Sequence, residues 1–209
     1  MRTDNRLLPS VGQRLELLGV VAVIQIFDHL VIENLTESGV LSSTARSTIA
    51  SFESLGGVGL LVLGLLAIIS TFGSRRRLTL TALVAYLTLA LIHLGSNLAA
   101  ILLTAHTRRG QPLLALWDVI CVYLMAILVF AAWYWFLDKS IPGGAFAFPG
   151  AERPRTIIDY IFLSFNTSST YGPTIEVPTS HSAKLFMMLQ VGSSLLMLTV
   201  LLTRAISGG

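Results

Sequence analysis

Four long, predominantly apolar runs constrain this chain more than any other feature. A helix needs about 20 such residues to cross the hydrocarbon core of a bilayer. Residues 53–73 (ESLGGVGLLVLGLLAIISTFG), 78–104, 113–137 and 183–205 each reach that length, without strand-like alternation. A weaker stretch, Leu17 to Ile32, is interrupted by Gln25, Asp28 and His29, so it either spans or lies along the interface. Hydrophobic residues make up 54% of the chain and charged residues 12%, and the mean hydropathy is +0.76. A soluble domain carries about 25% charged residues; this chain cannot cover itself with a polar surface. The expected fold class is all-α, a polytopic transmembrane helical protein of about four spans, multi-pass in a cell membrane, with a bacterial inner membrane as the expected host.

Charge and motifs exclude several functions. The net charge is +3, but the arginines sit between apolar runs, where basic residues set topology. No clustered basic face suggests nucleic acid. The one cysteine, Cys121, lies within an apolar run and rules out an intrachain disulfide framework. The N-terminal apolar core runs into Gln25, Asp28 and His29, not into a small-residue cleavage site, so no signal peptide is expected. No HExxH, CxxC, GxSxG or Gly-rich phosphate loop occurs, and neither an enzyme nor a cofactor is expected. Ionisable residues at membrane depth are functional candidates by default: Asp28, Glu53, His93 and Asp118. Asp118 is expected to pair with the nearby Arg108 and Arg109, His93 to be a buried, hydrogen-bonded histidine, and Glu53 to stabilise a helix N-terminus.

The segment between the last two runs has a different character. Ser140 to Gly150 (SIPGGAFAFPG) is a loop by its Pro and Gly content. Pro154 then suits a first helical turn, and Ile157, Ile158, Ile161, Phe162 and Phe165 mark a helical apolar face. Residues 156–169 are expected to form a helix too short to span. It is either a re-entrant helix, whose mid-membrane end must be buried in protein or line a cavity, or a helix lying on the bilayer surface.

The run DYIFLSFNTSSTYGPTIEVPTSHSAK, Asp159 to Lys184, resembles the pore loop of potassium channels. Without gaps, Asp159, Ser164 and Thr167 match the family's pore-helix positions, and Ser169 and Thr170 its threonine pair. Gly172 matches the first filter glycine, Pro178 the proline after the filter, and Lys184 the basic residue beyond. The resemblance covers residues 113–205. It implies a re-entrant pore helix and a filter-like loop, Ser169 to Thr174, in a homotetramer that encloses a pore for monovalent cations. It further implies a cavity lined by Gln190 and Ser194, four residues apart on the last helix. The chain then divides into residues 1–52, a segment with the interfacial or additional membrane helix; 53–110, a two-helix region; and 111–209, the pore-like unit.

The filter departs from the family. Tyr171 stands where the family has valine, Pro173 where it has tyrosine, Thr174 where it has the second glycine, and Ile175 where it has aspartate. Potassium filters stack backbone carbonyls in place of the hydration shell; Pro173 fixes φ and removes a donor, and β-branched Thr174 does not reproduce a glycine backbone. The resemblance therefore implies a cation channel of weak or altered potassium selectivity, with Glu176 at the mouth. A non-conducting scaffold or sensor that keeps the pore fold is the alternative. A transporter or membrane enzyme would need His93, Asp118 and Glu53 to converge. A pore loop of this family enters from outside, which sets Arg108, Arg109 and Arg204 inside and Arg75, Arg76 and Arg77 outside, against the positive-inside tendency. The preferred expectation is four full spans with both termini inside.

Overall fold

The computed structural model describes residues 11–37, 47, 51, 54–59, 62–63, 65–66, 76–103, 112–148, 150, 155–169 and 176–207. Among the described residues the helices with continuous bounds are α1 (Val11–Glu37), α2 (Arg76–Leu103), α3 (Pro112–Ser140), α4 (Ile157–Ser168) and α5 (His181–Ser207). Two short strands, β1 (Phe146–Ala147) and β2 (Val177–Pro178), pair antiparallel, Phe146 opposite Pro178. Among the described residues, four stretches are long and apolar enough to cross a membrane: Leu15–Asn34, Thr81–Leu102, Leu116–Ser140 and His181–Leu202. The N-terminal stretch is thus one continuous helix of 27 residues despite Gln25, Asp28 and His29. Two of its polar interruptions have partners on α2. Asp28 meets His93 and Asn97, and Gln25 donates to the Tyr86 hydroxyl at 3.1 Å.

The protein is built around α3. Of its membrane-length window 72% is buried, against 28% for that of α5. Val122, Val129, Phe130, Ala131, Ala132 and Tyr134 of α3 are enclosed by the elements around it.

The contacts fix the direction of every long helix. At the start of α1, Gln13 Nε2 donates to the Arg155 carbonyl at 3.1 Å, and Glu16 Oε2 accepts the Ile157 N–H at 3.2 Å. The α3 end, at Asp138, bonds the same Arg155; α1 therefore starts where α3 finishes. The Trp133 indole donates to the Leu87 carbonyl, and Leu98 and Ile101 lie beside Val119 and Val122, so α2 is also antiparallel to α3. The α5 helix begins beside β2 and carries Met197 and Val200 to the same Val119–Val122 level. Thus α1, α2 and α5 run one way and α3 the other.

This direction corrects one expectation. Because α1 and α2 are parallel, α1 finishes and α2 starts at opposite ends of the bundle. The apolar run 53–73 falls between them in sequence, and its described residues 54–59, 62–63 and 65–66 are helical. Gly56 lies against Gln25 and Gly59 against Tyr86. The start of α1 and the end of α5 therefore lie at opposite ends of the bundle. Both termini on one side, as expected from sequence, required the 17–32 stretch not to cross.

Candidate functional site

The short helix is present where the sequence places it. Its 12 residues extend about 18 Å, well under the roughly 30 Å of a hydrocarbon core. Asp159 organises its start: its Oδ2 accepts the Thr156 N–H at 2.8 Å and the Thr156 hydroxyl at 3.2 Å. This is the acidic half of a capping box, which satisfies an otherwise orphaned N–H and complements the helix dipole. Tyr160, Ser164 and Ser168, at i, i+4 and i+8, face the interior with Leu163 and Thr167, while Ile158, Phe162 and Phe165 are exposed.

The inward stripe meets a matching one on α3, where Ile127, Ala131, Tyr134 and Asp138 recur at helical spacing and are buried. Gln190 of α5 closes the third side. Its amide donates to the Ser164 carbonyl and hydroxyl, both at 2.8 Å, and to the Ser168 hydroxyl at 2.5 Å. Its carbonyl accepts the Tyr134 hydroxyl, and the Ser164 hydroxyl donates to the Ile127 carbonyl at 2.7 Å. Thr167 donates to the Leu163 carbonyl at 2.8 Å. The three helices thus share a buried hydrogen-bond network in which each hydroxyl and both ends of the Gln190 amide are used, the condition under which buried polar groups rigidify rather than destabilise.

A clasp at the α3 end holds the start of α4. Asp138 is buried and accepts four bonds: the Ala145 and Phe146 N–H groups on Oδ1 at 2.7 and 3.1 Å, and Arg155 Nη1 and the Tyr160 hydroxyl on Oδ2 at 2.7 and 2.6 Å. The Arg155 guanidinium lies 4.6 Å from the Phe148 ring centroid, which stacks edge-on with Tyr160. Burial lowers the Arg155 pKa, but the hydrogen bond and charge of Asp138, with Tyr160, outweigh it and hold the value above the ordinary one. Burial, reinforced by Asp138 and opposed by Arg155, pushes the Tyr160 phenol up. Gly144 makes the turn into the clasp at φ +87°, and a Cβ there would stand 2.8 Å from Asp138 Oδ1. None of Asp138, Arg155, Tyr160 or Tyr134 was singled out from sequence. A signal was available, since a carboxylate in the last turn of a helix opposes the dipole and so needs donors from elsewhere.

The expected site residues divide three ways. Ser164, Thr167 and Gln190 come together in the network, and Ser168 joins them. Gln190 is fully enclosed by its neighbours. Ser194, with Ser168, Ser169 and Tyr123, edges a groove of about 270 Å³ whose remaining walls are apolar residues of α3 and α5. Ser169 caps the short helix, its N–H donating to the Phe165 carbonyl at 2.9 Å, so the C-terminal end of α4 abuts this groove. Glu176 is half-buried before β2, with Oε2 enclosed and lacking a hydrogen-bond partner among the described residues. Thr170, Tyr171, Gly172, Pro173 and Thr174 lie outside the described residues.

A second polar cluster lies between α1 and α2. His93 Nδ1 is 3.0 Å from Asp28 Oδ2, and the Asn97 amide donates to Asp28 Oδ1 at 2.9 Å, all three buried. This is the buried, hydrogen-bonded environment expected for His93, with Asp28 as the partner. Asp118 is on α3 and completely buried. Among the described residues no group of His, Cys, Asp and Glu is arranged to hold a metal ion. No protein-family model matches the chain, and neither does any curated protein or solved structure.

Proposed function

We propose that this chain is a pore-loop membrane protein of the ion-channel type, working as a homotetramer and passing monovalent cations with weak or altered potassium selectivity. One observation carries the reading. A 12-residue helix is pinned between two membrane-length helices by a buried Gln190–Ser164–Ser168–Tyr134 network, directly ahead of the filter-like residues 169–174. A surface helix would present its polar side to water; here Ser164, Thr167 and Ser168 face the interior and phenylalanines face out. A short helix held at membrane depth and aimed at a loop is the element a re-entrant pore requires, and its C-terminal dipole favours cations beyond it. One chain encloses no pore. Four copies, each presenting the apolar face of Ile158, Phe162 and Phe165, supply the ring.

The second reading, a non-conducting scaffold or sensor with the same fold, draws on Pro173 and Thr174 in the filter-like loop. Flux from protein-loaded liposomes in potassium, sodium and rubidium separates the two. The channel reading expects flux that Gly172→Val abolishes while the tetramer survives. A monomer in mild detergent, or a tetramer silent to every ion even after Tyr171→Val, Pro173→Tyr, Thr174→Gly and Ile175→Asp restore the filter pattern with Met197 and Leu201 truncated, overturns it.

A further inference from the structure

The helix directions, combined with the distribution of basic residues, determine which way the bundle faces. The start of α1, the start of α2, the end of α3, the start of α4 and the start of α5 share one end of the molecule. Of the basic residues in the described segments, Arg14 in the first turn of α1, Arg76 and Arg77 at the start of α2, Lys139 at the end of α3, Arg155 before α4 and Lys184 in the first turn of α5 belong to this end. Arg204, near the end of α5, belongs to the other. In sequence, Arg2 and Arg6 precede α1, Arg75 precedes α2 and Arg153 precedes α4, while Arg46 follows α1 and Arg108 and Arg109 separate α2 from α3. By sequence order ten of the 14 basic residues flank helix ends of the short-helix end and four flank those of the other. Every connection here is short enough for the lysine and arginine count to govern orientation, and the charges flanking the first helix, which usually dominate, lean the same way.

We infer that the short-helix end of the bundle faces the cytoplasm, so that the filter-like loop enters the membrane from inside and the C-terminal end of α5 lies on the outer side. The inference goes beyond the proposed function and holds or fails independently of it, since a bundle conducts or stays silent in either orientation. It reverses the outside-facing loop that the potassium-channel resemblance implies, and it removes the conflict over the Arg75–Arg77 triplet. That conflict arose because the loop was set outside; with α1 crossing, the start of α1 and the start of α2 share one side, and reversing the bundle brings both inside. The basic rim then rests against the anionic headgroups of the inner leaflet.

Topology reporters test this on the full chain. Alkaline phosphatase fused after Gly209 should be active and a green fluorescent fusion at the same point dark. In a Cys121→Ser background, Ser140→Cys at the end of α3 should resist a membrane-impermeant maleimide in intact cells and react once the membrane is opened. Thr107→Cys, in the α2–α3 connection, should react in intact cells. The reverse pattern, or equal labelling of both positions in intact cells, overturns the inference. The fusions leave the native sequence unchanged, so they give the answer even where a cysteine variant fails to accumulate.

Discussion

Gln190 is the side chain on which the short helix most depends. It bridges Tyr134 of α3 to Ser164 and Ser168 of α4. Replacing it with leucine fills the space but removes the amide that bonds the buried Ser168 hydroxyl and one of the partners of the buried Tyr134 hydroxyl. The expected loss is about 2 kcal/mol, the desolvation cost of unpaired buried groups, read from unfolding in mixed detergent micelles. Tyr160 makes a prediction in pH. Its phenol is raised, chiefly by burial and then by Asp138, relative to an unfolded value near 10. A raised folded value stabilises fully below the unfolded one and is lost as pH rises through the folded value. Tyr160→Phe should therefore be less stable by about 1 kcal/mol at neutral pH, for one lost hydrogen bond. The gap to the parent should narrow only above about pH 10. Unfolding midpoints against pH, with tyrosinate absorbance as a parallel readout, check the sign.

At the scale of elements, the described residues 141–148 and 155 between α3 and α4 are tied to both helices. Asp138, β1 and Arg155 make these ties, and β2 joins the chain entering α5 to the same residues. Gly144 and Gly143 both sit at positive φ, but only at Gly144 would a Cβ meet Asp138; at Gly143 nothing lies within 4 Å. Gly143→Ala should cost about 1 kcal/mol for the backbone alone. Gly144→Ala should cost about 1–2 kcal/mol more, because the clasp must open as well; paired thermal unfolding curves measure the difference. Much of this level was legible in advance. The apolar runs marked α2, α3 and α5, and the Ile and Phe spacing after Pro154 marked α4. The clasp was not legible, because Asp138 and Arg155 are 17 residues apart and each alone reads as a loop charge. Nor was the role of Gln190. Its four-residue spacing to Ser194 shows a shared face but not whether that face meets a cavity or another helix. The 17–32 stretch misled for a related reason: Asp28 looks prohibitive in lipid until His93 and Asn97, 69 residues along the chain in the latter case, are seen to satisfy it.

At the scale of the whole molecule, the lightly buried α5 and the outward face of α4 form the side most open to a neighbour. If that side is the subunit contact of the proposed tetramer, replacing Ile158, Phe162 and Phe165 together with serine should leave the monomer fold intact by circular dichroism and shift native mass spectra toward monomer. An unchanged tetramer would place the contact elsewhere. The dependence of α4 on Gln190 also has a consequence during synthesis. Gln190 follows Ser164 by 26 residues, and a ribosome adding roughly 5–20 residues per second takes about 1–5 s to make that interval. For those seconds Ser164 and Ser168 have no α5 partner, so the short helix cannot settle into its final seat while the chain is still being inserted. A chain interrupted before α5 leaves the Ser168 hydroxyl without its Gln190 partner, the kind of defect that membrane quality control removes.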